Sequence, residues 1–200
     1  MHNNCPTIWP EDMPPKGTEN CMDCGLFQHS RMIWGEGNPN ASVMILLDNP
    51  GARENREGNP FLCGTRETMQ KAAYEVGFRE QDLYVTYVLK RRPVRAYDKA
   101  KAREAYMQHL LAQLQSKPPR FVFCLGNVAT QVFFVDQEAE VKNLRQEWHS
   151  PRGILTAVSY HPLAVRRRPN LWMHFVSDWK FLKAACDEIY QNQIIVRKTG

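Results

Sequence analysis

Two hundred residues with 43% hydrophobic content suffice for one well-buried core and lie near the upper size of one domain, so a single domain over 1–200 is expected. Lys and Arg total 26 against 21 Asp and Glu, a net charge of +5 that favours polyanionic partners, and no apolar run approaches the ~20 residues a membrane span needs. The N-terminus "MHNNCPTIWPEDMPP" has neither the basic start nor the apolar stretch of a secretion signal; a cytoplasmic protein is expected, its six cysteines thiols or metal ligands and not disulfides.

Residues 1–40 are rich in Pro, Asn and Cys without sustained periodicity and read as an irregular, Cys-containing arm that wraps the core. "SVMILLD" (42–48) is a short apolar run bounded by turn residues, which fits a parallel strand covered on both faces. Helical spacing follows over 66–76, with Gly77 as terminator. "DLYVTYVLK" (82–90) is a second strand stopped by Pro93, and 99–116 an amphipathic helix. "RFVFCLG" (120–126) is a third strand, leading into helical "NVATQVFFV"; "ILTAVSY" (154–160) is a fourth, ending at His161-Pro162, and the apolar spacing of 171–192 suits a closing helix. This alternation predicts a three-layer α/β/α fold around a mostly parallel, four-stranded sheet, with the site beyond the carboxyl ends of its strands.

Three of those ends carry chemistry: Asp48-Asn49-Pro50-Gly51, Lys90-Arg91-Arg92 and His161-Pro162. An amide or carboxylate positions a water, a histidine stabilises charge on a leaving group, and an aromatic such as Phe61 stacks on a flat base. Two basic blocks, Lys90 to Arg103 and Arg166-Arg167-Arg168, suit phosphates, although a charge run is also the ordinary form of a solvated surface.

The order and spacing of these motifs resemble the uracil-DNA glycosylase superfamily, most closely its family-four, iron–sulfur type. The resemblance rests on Cys21-x-x-Cys24, Gly35-Glu36-Gly37, Asp48-Asn49-Pro50-Gly51-x-x-Glu54-Asn55-x-x-Gly58-x-Pro60-Phe61, the Lys90-Arg91-Arg92-Pro93 block, Leu125-Gly126, and His161-Pro162 followed by Arg166. It implies that Asn49 positions the hydrolytic water with Asp48 as helper, and that His161 steadies the departing base. It also implies that Phe61, Tyr87 and Gly51 form the base pocket and that Arg91, Arg92, Arg166, Arg167 and Arg168 meet DNA. The implied partner is DNA bearing uracil or another deaminated base, engaged by a monomer away from any membrane.

Two departures qualify the resemblance. Family four ligates a 4Fe–4S cluster through four cysteines, and the last two of those positions here read Arg91 and Met107, neither of which supplies a thiolate. The standard cluster is therefore not expected, and no cofactor is required for the chemistry. Cys5, Cys21, Cys24 and His29 either hold a zinc ion or pack as small side chains. The second departure is Tyr87, which stands where the family has a base-pairing amide. A phenol cannot reproduce an amide's donor and acceptor pair, so either base choice differs or the chain is an inactive, nucleic-acid-binding homologue. A hydrolase of free nucleosides is a third reading, against which the basic blocks argue.

Overall fold

A computed structural model describes residues 5–18, 21–22, 25–26, 30–55 and 62–199, with side chains as far as 191. The strands are β1 (Glu11–Asp12), β2 (Gly35–Gly37), β3 (Val43–Leu47), β4 (Leu83–Tyr87), β5 (Phe121–Leu125) and β6 (Leu155–Ser159). The helices are α1 (Gly64–Glu75), α2 (Lys99–Ser116), α3 (Asn127–Phe134), α4 (Val141–Leu144), α5 (Pro162–Arg167) and α6 (Trp172–Thr199). The strands form one sheet in the order β1-β2-β4-β3-β5-β6, with β4, β3, β5 and β6 parallel and β1 and β2 antiparallel.

Each parallel strand is an apolar run because the sheet is covered on both faces. On one face Ile45, Leu47, Val85 and Phe123 pack against Met69 and Ala73 of α1, Val165 of α5, and Phe175 and Trp179 of α6. On the other, Met44, Leu46 and Val122 meet Tyr106 and Leu110 of α2, Phe133 of α3 and Val141 of α4. The α/β/α layers are thus as expected, but the sheet has six strands and not four. The additional two come from the arm. Glu36 pairs with Val85 on the sheet edge, and Glu11 pairs with Glu36 in turn. Segments of two and three residues are too short to carry an alternating pattern, and only their partners make them strands.

The arm is also bound to the core away from the sheet. Trp9 is buried and donates from Nε1 to Tyr74 Oη (3.2 Å), while the Thr7 backbone exchanges two hydrogen bonds with the Gln70 amide (2.7 and 2.8 Å).

Candidate active site

The sheet places the site through its connections. β4 lies on one side of β3 and β5 on the other, which opens a crevice at the carboxyl ends of the parallel strands. β3 delivers Asp48 and Asn49 there. Asp48 Oδ1 accepts the Asn49 backbone N–H (2.7 Å), and Asn49 Nδ2 donates to the Pro50 carbonyl (2.9 Å). The Asn49 donor is thereby committed to its own turn, and Oδ1 is the amide atom suited to hold a water. A side chain at Gly51 would meet Glu54, because an added Cβ lies 2.6 Å from Glu54 Oε2.

β6 and α5 deliver His161. It caps α5, with Pro162 in the first helical turn, and its Nδ1 accepts the Leu163 N–H (3.1 Å). The neutral ring therefore carries its hydrogen on Nε2, which lies 3.5 Å from Asp48 Oδ1. Gly126, at φ +97°, permits this approach: a Cβ there would stand 2.9 Å from the Cβ of His161. Burial raises the Asp48 pKa, but the hydrogen bond and charge of His161 together with the Asn49 N–H outweigh it and hold the carboxyl below its ordinary value. Asp48 and Asn49, which follow β3, and His161, which follows β6, thus lie together at the carboxyl edge of the sheet.

Beneath the turn, on the α1 face, lies a buried polar cluster. Tyr87, the register partner of Leu47, is 1% exposed and donates from its hydroxyl to Glu36 Oε1 (3.0 Å). Arg66 of α1 is 2% exposed; its Nη2 pairs with Glu36, its Nε lies 3.9 Å from Glu54 Oε1, and its guanidinium carbon lies 5.8 Å from the Tyr87 ring centre. Burial works against the Arg66 charge, but the Glu36 carboxylate more than compensates and raises its pKa. Burial, opposed by Arg66 and aided by Glu36, pushes the Tyr87 phenol well up, so it stays protonated. Burial with Glu54 alongside takes the Cys63 thiol up to about 11, and Cys63 donates to Glu54 Oε1 (2.6 Å). The cluster runs from β2 to the Gly51 turn.

A cleft of 370 Å³ opens beside that turn, lined by Gly51, Arg53, Glu54, Cys63, Gly64 and Arg166. The Arg166 guanidinium lies against Gly64, where a side chain would collide with it. Arg167 and Arg168 are exposed and Arg92 is half-buried.

Arg91 differs from its expected place at DNA: it is 2% exposed and donates from Nη1 to the Ser30 carbonyl (2.5 Å), so it faces the arm and not a phosphate. Tyr87 is likewise turned inward to Glu36 and is not a free group at the strand end. Phe61 and Cys24 lie outside the described residues, as does His29. Cys5 is exposed; among the described residues no group of three or more His, Cys, Asp or Glu could hold a metal. A four-thiolate cluster does not fit the described chain, because a buried, hydrogen-bonded guanidinium at position 91 and an apolar-packed thioether at Met107 offer no thiolate ligand.

Arg66 and the partnership of Glu36 escaped sequence reasoning. The available signal was an arginine on the apolar stripe of α1, three and seven residues before Met69 and Ala73.

Residues 34–187 match the family model described as the Uracil DNA glycosylase superfamily. The chain is 28% identical over 178 residues to the Type-4 uracil-DNA glycosylase of Archaeoglobus fulgidus, covering 84% of this chain and 88% of the relative. It is 28% identical over 170 residues to the protein of that name from Pyrobaculum aerophilum, covering 80% and 86%. With the one from Thermotoga maritima it shares 25% over 158 residues, covering 76% and 81%.

Proposed function

The chain belongs to the uracil-DNA glycosylase superfamily, and from that premise we propose that it hydrolyses the N-glycosidic bond of uracil, or of a related deaminated base, in DNA. The observation that carries this reading is His161 Nε2 standing 3.5 Å from the Asp48 carboxylate, beside Asn49. This geometry supports a charge-stabilising role for His161 and a water-positioning role for Asn49. The nucleotide is flipped out of the stack, at a cost of a few kcal/mol that is least at mismatches and in single strands. Asn49 Oδ1 holds a water beneath C1′. As the C1′–N bond breaks, its electron pair leaves with the base, and His161 Nε2–H donates to the base oxygen on which that charge gathers. The ionised Asp48 opposes the positive charge growing on the sugar. The water oxygen bonds to C1′, its proton passes through Asp48 to solvent, and solvent protonates the released base. Arg166, Arg167 and Arg168 grip phosphates without reading sequence.

Labelled single strands and duplexes carrying one uracil, hypoxanthine or xanthine, treated with protein and then alkali, test the reading. Cleavage at one of these bases, lost in His161→Ala and Asn49→Ala, is the expected result. A second reading, a homologue that binds DNA without releasing bases, draws on the Tyr87 hydroxyl being committed to Glu36. It predicts salt-dependent binding and no cleavage of any substrate.

A further inference from the structure

We propose that Arg66, and not Tyr87, is the group that selects the base, and that it selects bases presenting a carbonyl oxygen over bases presenting an amino group. The inference rests on the glycosylase reading for the location of the base and goes beyond it in naming what reads the base.

Three observations carry it. The first is position. Tyr87 is the register partner of Leu47, the residue before Asp48-Asn49, and its side chain lies on the α1 face with Arg66. Glu54 lies 3.9 Å from Arg66 Nε and also against the Gly51 turn, which links the guanidinium to the turn that follows Asn49. The second is commitment. The Tyr87 proton goes to Glu36, and that carboxylate also holds Arg66 Nη2, which leaves the phenol no proton for a base. The third is what remains: Arg66 Nε and Nη1 are buried and have no hydrogen-bond partner among the described residues, and Nη2 has only its ion pair with Glu36. A buried charged donor without an acceptor is costly unless a ligand supplies one.

Arginine only donates. A carbonyl oxygen of uracil, hypoxanthine or xanthine would complete its hydrogen bonding, whereas the amino group of cytosine or adenine would set donor against donor. Sites with a committed buried polar group discriminate strongly against a ligand that leaves it unpaired. Glu36 is then a positioning residue that fixes the guanidinium plane.

The test measures binding, so it does not depend on turnover. Single strands carrying one hydrolysis-resistant 2′-fluoroarabino nucleotide, of uracil or of cytosine, are titrated against four full-length proteins: the wild type, Tyr87→Phe, Arg66→Lys, and the double variant Arg66→Gln with Glu36→Gln. The double change avoids leaving a lone buried carboxylate, and thermal melting verifies folding. The wild type is expected to prefer the uracil strand by about tenfold or more, as suits a hydrogen bond from a charged donor. Tyr87→Phe should keep that ratio within about twofold, and the double variant should bring it close to one. Arg66→Lys, which retains the charge but not the fork, should fall between, and it decides the matter if the double variant does not fold. A ratio unchanged in folded Arg66 variants, or lost in Tyr87→Phe, overturns the inference, as does a wild type that binds both strands equally. A wild type that binds with the expected preference but releases no base overturns the hydrolase reading alone.

Discussion

Two adjacent residues of β4, Thr86 and Tyr87, each anchor a buried polar network, one on either face of the sheet. On the α2 face Lys90, wholly buried, donates from Nζ to Thr86 Oγ1 (2.5 Å) and to Gln113 Oε1. The Gln113 amide donates to the Trp34 carbonyl (2.9 Å) and to Tyr84 Oη (3.0 Å), and Tyr84 donates to Asp12 of the arm (2.8 Å). Lys117 closes the chain on Asp12 (2.8 Å). Burial drives the Lys90 pKa well below its ordinary value, which suits a neutral amine among neutral partners. On the α1 face the network instead holds a permanent cation with donors left over, beside an unpartnered Glu54 Oε2. The satisfied network binds the arm to the sheet, and the incomplete one lies at the site. Between these two networks, the one that serves structure has its donors met, whereas the one beside the site keeps donors that a ligand can meet.

The site itself is the most sensitive to substitution. His161→Ala and Asn49→Ala are each expected to slow single-turnover base release by about 10²–10³-fold, the usual loss when one preorganised group is removed. DNA affinity should persist, because neither residue belongs to the basic surface. Equal rates in variant and wild type would refute the assignment of that residue.

On the α2 face the expected loss is stability and not rate. Gln113→Ala removes the hub to which Lys90, Thr86 and Tyr84 all bond, and should lower urea stability by roughly 2–3 kcal/mol while base release at low temperature is retained. Lys90 sharpens the point through pH. Its native pKa is depressed, so between that value and the ordinary 10.5 the unfolded chain binds a proton that the folded chain does not. Stability should therefore rise with pH across this window and fall as pH drops through it. Lys90→Met should abolish that component of the melting-temperature profile.

What was legible in the sequence follows the same division. The four parallel strands are apolar runs and were visible to within a residue or two, except at the end of β4. There Val88 and Leu89 leave the strand but still donate to the Leu47 and Asp48 carbonyls, which carries Lys90 and Arg91 into the interior. A run of cations reads as solvated surface, and only these pairings show its first two members turned inward. Asn49 and His161 were legible because they stand next to strand ends with proline beside them. Arg66 and Glu36 were not: they lie far apart in the chain, and the strand that carries Glu36 exists only through its partners. α5 is not legible in the sequence, because its six residues begin at a proline, the residue that also marks the end of a strand.

The smallest expected effect separates the two kinds of arginine. Arg166, which lines the cleft, and Arg167 and Arg168 after it are all exposed, and replacing them with alanine should weaken DNA binding for every sequence alike. For each phosphate that is no longer neutralised, the slope of log affinity against log salt should become shallower by about 0.7 on single strands and 0.9 on duplexes. Arg91→Ala should leave that slope unchanged, because its guanidinium is held at the Ser30 carbonyl and no counterion is displaced from DNA on its account. It should instead lower the melting temperature by loosening the arm. A salt slope that falls in Arg91→Ala as it does in the triple variant would place that side chain at the phosphates and remove the distinction between inward and outward cations.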